Sequence, residues 1–367
     1  MDNKKVLFLV NHDVVIYNFR LELVEHLINE GFEVHISSPK GEKIDRLIEL
    51  GCIYHEIDMD RRGTNIFKDI NIIKEYFTLV KNIKPRVVLT YTIKPNIYGG
   101  LVSRIQKTPY LTNITGLGSS FTPSSSPILK GILKFLYKIS LKKSKCIFFQ
   151  NKENSEMFDK LQIFAEQSKL LPGSGVNTER FAYAEYPKNK DINIYYFGRL
   201  MEEKGTYELL KAAESVTEKY NNVKFHLVGF SEDENLTKII EKMHNENVII
   251  YHGYQTDINK YIINSDVVVQ PSHHEGMSNV LLEAASAGRP VIASNIPGCK
   301  EIIENNQTGI LFEPKNIESL INALEEFINI PIERRTLMGK LGRQKMIREF
   351  SRGTVVQEYM EQIYNIN

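Results

Sequence analysis

Two short runs in the second half of the chain hold the residue types that could do chemistry. Gly198-Arg199-Leu200 directly follows an apolar, strand-like run, and Lys204-Gly205 opens the helical pattern after it. Cations five residues apart, at the carboxyl end of a parallel strand and beside a helix N-terminus, can share the charge of a diphosphate with orphan backbone N–H groups and without a metal. The second run is Glu275-Gly276-Met277-Ser278-Asn279, followed by the apolar helix start Val280-Leu281-Leu282-Glu283. Gly276 permits a close turn and Ser278 can cap the helix. Amides between Glu275 and Glu283 could receive phosphate oxygens, while a carboxylate at either end accepts hydrogen bonds from sugar hydroxyls. Singly, each run has an ordinary reading, as solvated loop charges or as an acidic first turn. Together, in βα turns of one domain, they point to one site for a diphosphate and a sugar.

The elements that must position these residues follow from the hydrophobic pattern. The chain has 367 residues, enough for two domains at about 100–200 residues each. Apolar residues make up 42% and charged residues 25%, which excludes wholesale disorder. Short apolar runs alternate with helix-length patterns, as in βα units around a parallel sheet. Strands are expected at Val6–Val10, Val34–Ser37, Ile53–Ile57, Val87–Thr90, Tyr110–Ile114 and Cys146–Gln150, with helices at Phe19–Glu30, Lys43–Leu50, Phe67–Lys81, Asn96–Gln106 and Ile128–Leu141. The rhythm breaks between Pro172 and Pro187 and restarts with strands at Ile192–Phe197, Lys224–Val228, Val248–Tyr251, Val267–Gln270, Pro290–Ala293 and Gly309–Phe312, before a helical tail from Ile317. This is an α/β chain of two doubly wound Rossmann-like domains, 1–180 and 181–349, with a cleft between them as the expected ligand site. Cys52, Cys146 and Cys299 form no C-x-x-C pair, which argues against a disulfide framework or a structural zinc and fits a reducing cytoplasm. No run reaches the roughly 18 apolar residues of a membrane span, and the N-terminus lacks a signal-peptide pattern.

The combination resembles the retaining glycosyltransferases of family 4. Gly198-Arg199-Leu200-x-x-x-Lys204-Gly205 matches that family's diphosphate clamp, Glu275 to Glu283 its pair of glutamates seven residues apart, and Leu171 to Phe181 the segment ahead of its interdomain linker. The resemblance implies the GT-B fold, two Rossmann-like domains facing a central cleft, with a C-terminal helix (350–367) crossing back to the N-terminal domain. It implies that Arg199 and Lys204 neutralise the leaving nucleoside diphosphate, with Glu275 on the donor sugar and Glu283 on the ribose. Gly198, Gly276, Met277, Ser278 and Asn279 would complete the donor site. No cofactor and no metal are implied, so Asp58-Met59-Asp60, despite its metal-site spacing, reads as a loop with balanced charges.

Segments of the first half narrow the resemblance. Asp60-Arg61-Arg62-Gly63-Thr64-Asn65, Thr92-Ile93-Lys94-Pro95-Asn96-Ile97-Tyr98-Gly99 and Asn113-Ile114-Thr115-Gly116-Leu117-Gly118-Ser119-Ser120-Phe121 are similar to bacterial enzymes that build capsule, O-antigen and lipid-linked oligosaccharides. These typically extend a sugar on undecaprenyl diphosphate. Many members carry a histidine toward the donor sugar where Thr115 stands, so here a hydroxyl takes its place. After the first strand, Asn11-His12-Asp13 replaces the usual glycine-rich loop and, with Lys94 and Gly116, forms the expected acceptor side; a loop cap is the competing reading. The expected activity is transfer of a hexose or N-acetylhexosamine from a nucleotide sugar, UDP-linked by subgroup resemblance. An epimerase on the same fold and a non-catalytic nucleotide-sugar-binding protein are the alternatives.

Charge is uneven. Residues 1–185 carry 26 basic and 20 acidic side chains, residues 186–367 carry 20 and 25, and Tyr76 to Lys152 holds 13 basic residues and no acid. A neutral chain with one basic half faces something anionic. Lys130, Lys134, Lys138 and Lys142 recur every fourth residue among Ile128, Leu129, Ile132, Leu133, Phe135, Leu136 and Ile139, a lysine stripe beside an apolar face. That stripe suits a peripheral seat on the inner face of the cytoplasmic membrane, against the plainer reading of a helix packed on its own sheet. No nucleic-acid motif accompanies the charge.

Overall fold

The computed structural model describes residues 3–60, 66–116 and 126–366, so Arg61–Asn65 and Leu117–Phe121, both quoted above, lie outside the described residues. The chain divides into two compact units, residues 1–174 with 353–367, and residues 175–352.

The first unit holds β1 (Lys5–Leu9), β2 (Glu33–Ser38), β3 (Ile53–Glu56), β4 (Val87–Tyr91), β5 (Tyr110–Ile114), β6 (Cys146–Phe149) and β7 (Ser168–Leu170) in one parallel sheet of order β3-β2-β1-β4-β5-β6-β7. Its central strand shows why the sheet is covered on both faces. Val6, Phe8 and Val10 enter one hydrophobic cluster, Leu7 and Leu9 the other. Alternate side chains of a strand point to opposite faces, so a continuously apolar strand needs a helical layer on each. The last helix, Arg352–Tyr364, completes the first of these clusters with Val355, Tyr359, Met360 and Ile363. Tyr359 accepts from Arg20 Nε at 3.2 Å, donates to Asn113 Oδ1 and packs on Phe148. Lys169 reaches both Glu358 and Glu361 at 2.7 Å.

The second unit repeats the logic with β8 (Ile192–Phe197), β9 (Val223–Val228), β10 (Ile250–Tyr251), β11 (Val267–Gln270), β12 (Val291–Ser294) and β13 (Gly309–Phe312), all parallel, in the order β10-β9-β8-β11-β12-β13. Ile194 and Tyr196 of β8 face one cluster, Tyr195 and Phe197 the other. Both sheets reverse their winding direction at the first strand, between β1 and β4 and between β8 and β11. Such a switch point opens a crevice at the carboxyl ends of its two strands. Val176 and Ser351, beside the two divisions of the chain, form a parallel bridge, with Val176 N–H donating to Phe350 O at 2.8 Å.

Four elements differ from the sequence expectation. β7 and the helix Lys152–Lys160 are additional. A further helix, Asp13–Phe19, begins where a loop was expected. The segment expected as one helix from Asn96 opens with a π-helical turn, Pro95–Gly99, before the α-helix Gly100–Ile105.

Candidate functional site

In the second unit the turn after β8 and the turn after β11 meet at the switch point. Gly198, at φ +145°, leads out of β8, and Tyr196 Oη donates to Arg199 O at 2.7 Å. A short 3₁₀ turn, Glu202–Lys204, ends at Gly205, which caps the helix Thr206–Lys219 at φ +68°. A Cβ there would lie 2.0 Å from Pro271 O, so both the left-handed backbone and the close approach require glycine. This approach sets Lys204 against the next turn. Its ammonium lies 2.6 Å from Glu275 Oε1, which also accepts from Ser272 Oγ at 2.8 Å. Arg199 is exposed and makes no ion pair with a described residue.

The Glu275 turn is braced from two sides. His273 N–H donates to Glu203 O at 3.0 Å, and its ring lies 2.8 Å from Glu208 Oε1 on the neighbouring helix. On the other side Gly298, at φ +84°, sits so close that a Cβ would meet Gly276 O at 2.7 Å, and Ser278 N–H donates to Gly298 O at 2.8 Å. Ser278 is buried at the N-cap of the helix Asn279–Ser286, yet its side chain makes no capping hydrogen bond, and helix N–H groups left uncapped by their N-cap suit an anion. Met277 is buried in the core, which leaves its backbone to the site. Asn279 Oδ1 is buried without a hydrogen-bond partner among the described residues. Glu283 follows one turn later, where burial outweighs the pull of Arg352 and Arg180 and pushes its carboxyl up to about 7. Burial disfavours the charged form, so this acid is poised to gain from hydroxyl donors. The structure therefore brings Arg199, Lys204, Glu275, the Gly276–Asn279 turn and Glu283 into one unit at one sheet edge. Ser272, His273, Glu208 and Gly298 are supporting residues that the sequence reading missed.

The residues expected on the acceptor side, and Thr115 with them, belong to the first unit. Asn11 follows β1, Thr92 and Lys94 follow β4, and Thr115 and Gly116 follow β5, three neighbouring strands ending at one edge. Thr92 holds φ +70°, and its hydroxyl and Asn11 Oδ1 are buried without a hydrogen-bond partner among the described residues. Lys94 pairs with Asp69 at 2.8 Å. His12 is the N-cap of the helix Asp13–Phe19, accepting from Val14 N–H at 3.2 Å. Asp13 is corrected from an acceptor contact to a scaffold. Its side chain has 0% exposure, and its oxygens accept from Val14 N–H at 2.8 Å and Lys43 N–H at 2.6 Å. It has no surface to offer a ligand.

The helix Pro127–Leu141 also departs from expectation. The apolar residues flanking the lysines do not share one packed face: Leu133, Tyr137 and Leu141 are buried, whereas Ile128, Ile132 and Phe135 are 75%, 52% and 62% exposed. Asp58 and Asp60 point outward on either side of buried Met59. Among the described residues no group of three His, Cys, Asp or Glu side chains could hold a metal. The three cysteines are free and buried, and burial pushes the Cys52 and Cys146 thiols up to about 12.

Two Rossmann-like units, one with a cationic turn facing an uncapped helix N-terminus, define the GT-B class of glycosyltransferases. A glycosyltransferase from Rickettsia africae superposes with a TM-score of 0.83 at 21% identity, covering 100% of this chain and 99% of that one. The chain belongs to the glycosyl transferases of group 1, whose family model matches residues 177–345, while the glycosyl transferase 4-like model matches residues 5–151. It is a hexosyltransferase. Among its relatives is the N,N'-diacetylbacillosaminyl-diphospho-undecaprenol alpha-1,3-N-acetylgalactosaminyltransferase of Campylobacter jejuni, 27% identical over 96% of both chains. Another is the UDP-Gal:alpha-D-GlcNAc-diphosphoundecaprenol alpha-1,3-galactosyltransferase of Escherichia coli, 27% identical over 90% of this chain and 88% of the relative.

Proposed function

We propose that this enzyme transfers a hexose or N-acetylhexosamine, with retention, from a UDP-sugar to a sugar carried on a polyprenyl diphosphate at the inner face of the cytoplasmic membrane, without a metal. The second unit takes the donor and the first unit the acceptor. The observation that carries the reading is the Lys204 ammonium held at Glu275 beside the uncapped helix start at Asn279. A nucleoside diphosphate there meets Lys204, Arg199 and backbone N–H groups together, and Glu283 accepts from the ribose hydroxyls. Glu275 meets the sugar. The anomeric C–O bond to the diphosphate breaks while the acceptor oxygen adds on the same face, and the departing phosphate takes the acceptor's proton. Charge grows on the diphosphate during that step, so cations fixed beforehand lower its barrier. The names of the two relatives, both acting on diphospho-undecaprenol sugars and one on UDP-Gal, support donor and acceptor alike.

The test is thermal stability with UDP, GDP, ADP and their sugar conjugates in the presence of chelator. A ligand at a hundred times its Kd stabilises by about 2.7 kcal/mol. A chelator-resistant shift with UDP, lost in Arg199→Ala, is expected; no shift with any nucleotide defeats the reading.

A further inference from the structure

We propose that the helix Pro127–Leu141 seats this enzyme on an anionic lipid bilayer, with Ile128, Ile132 and Phe135 entering the headgroup–acyl boundary and the adjoining lysines meeting the headgroups. The proposal rests on the reading that the acceptor is lipid-linked, and it names the surface that meets the lipid. At about 100° per residue, Leu133, Tyr137 and Leu141 fall on one side of the helix, and these are its buried apolar residues, with Ser140 buried beside them. Ile128, Ile132 and Phe135 fall on the opposite side and are the most exposed of its apolar residues, with Leu129 on the flank less so. A helix that only covers its own sheet needs one apolar stripe; this helix has two, back to back. Lys134, Lys138 and Lys142 descend one flank between the stripes, and none makes an ion pair with a described residue. The surrounding sequence from Tyr76 to Lys152 offers no carboxylate.

The chemistry selects one occupant. A second copy of the chain, meeting this face about a two-fold axis, would set lysines against lysines. A nucleic-acid backbone would satisfy the lysines but leave the isoleucines and the phenylalanine in water. Anionic lipid satisfies both, since charged headgroups and acyl chains lie within one side-chain length of each other. A helix of this length, about 22 Å, lies in the interface, and no described helix is long and apolar enough to cross a membrane.

Flotation with phosphatidylcholine vesicles, with and without phosphatidylglycerol, tests the proposal on the full chain. Wild type is expected to float with the phosphatidylglycerol vesicles and to be released by salt. The double variant Ile132→Glu/Phe135→Glu is expected to bind at least about tenfold more weakly, as is the triple variant Lys134→Gln/Lys138→Gln/Lys142→Gln, whose residual binding loses its salt dependence. Both variants should keep the thermal shift with UDP, which shows that they fold. Wild type that does not float overturns the proposal, as does unchanged flotation of the glutamate variant or a dimer that Phe135→Glu dissociates. Transfer to a sugar on a short, water-soluble prenyl diphosphate separates the two readings. Transfer without flotation removes the lipid seat and keeps the acceptor; flotation without transfer to any prenyl-diphosphate sugar does the reverse.

Discussion

The turns after β1 and after β8 occupy the same place in two sheets of the same winding, yet their chemistry is opposite. After β8 the chain passes Gly198 and Gly205, presents Arg199 and Lys204, and approaches the helix start at Asn279, where the Ser278 side chain makes no capping hydrogen bond. After β1 it has no glycine. His12 and Asp13 cap the helix that follows, and the buried Asp13 carboxylate occupies the N–H groups at its start. One turn presents cations and a helix start that its N-cap side chain leaves uncapped, as the proposed donor site requires, and the other already holds a carboxylate of its own. Topology supplies a crevice in each unit; capping decides which can hold a charged ligand.

Four substitutions break or sharpen that contrast. Lys204→Ala removes a cation from the growing charge on the leaving group and should cost about 3 kcal/mol, roughly a hundredfold in kcat at saturating donor, with the melting temperature little changed. Asp13→Ala takes the acceptor from Lys43 N–H and one of two acceptors from Val14 N–H, which keeps His12, and it empties a fully buried site. It should destabilise the fold by about 1–2 kcal/mol in denaturant titrations, while UDP still shifts the surviving folded protein; loss of the UDP shift would mean the two turns are not independent.

Glu283→Gln should change stability in a pH-dependent way. The carboxyl titrates at about 7 in the folded chain against an ordinary value near 4.3 when unfolded. The wild type therefore loses stability relative to the glutamine variant as pH rises from about 4 to 7, reaching a deficit of about 1–3 kcal/mol above neutrality. Melting curves of both proteins across that range should coincide in acid and separate near neutrality, and UDP should bind the variant more weakly. The smallest effect is expected from Thr92→Gly. Relief of a left-handed threonine should raise stability by up to about 1 kcal/mol, and the KM for acceptor should rise while that for donor stays.

Much of this was legible in residue order alone. Apolar runs such as Val6–Val10 and Ile192–Phe197 mark central strands because both faces must be covered, and the cations of the Gly198–Gly205 run stand out as a candidate site by type and spacing. Other parts were not legible, for physical reasons. β7 is Ser-Lys-Leu at a sheet edge, with no apolar run to reveal it. The helix at Asp13 is rich in β-branched Val14, Val15 and Ile16, poor helix formers that packing and capping override. The Lys204–Glu275 contact joins residues 71 positions apart. Periodicity showed that the Pro127–Leu141 helix is amphipathic but not which apolar residues face inward, and the structure reverses the simpler answer for Ile128, Ile132 and Phe135.

The return of the helix Arg352–Tyr364 to the first unit sets an order of assembly. Residues 175–352 form an uninterrupted unit that can close as soon as it leaves the ribosome. The unit synthesised first cannot, because Tyr359, Met360 and Ile363 of its core are made only after residues 175–352. Until they arrive, Arg20 lacks its tyrosine partner and Phe148 has an open flank. A nascent chain stalled short of Arg352 would therefore carry one finished unit and one unfinished, the latter exposed to chaperones and proteases until the helix Arg352–Tyr364 is made.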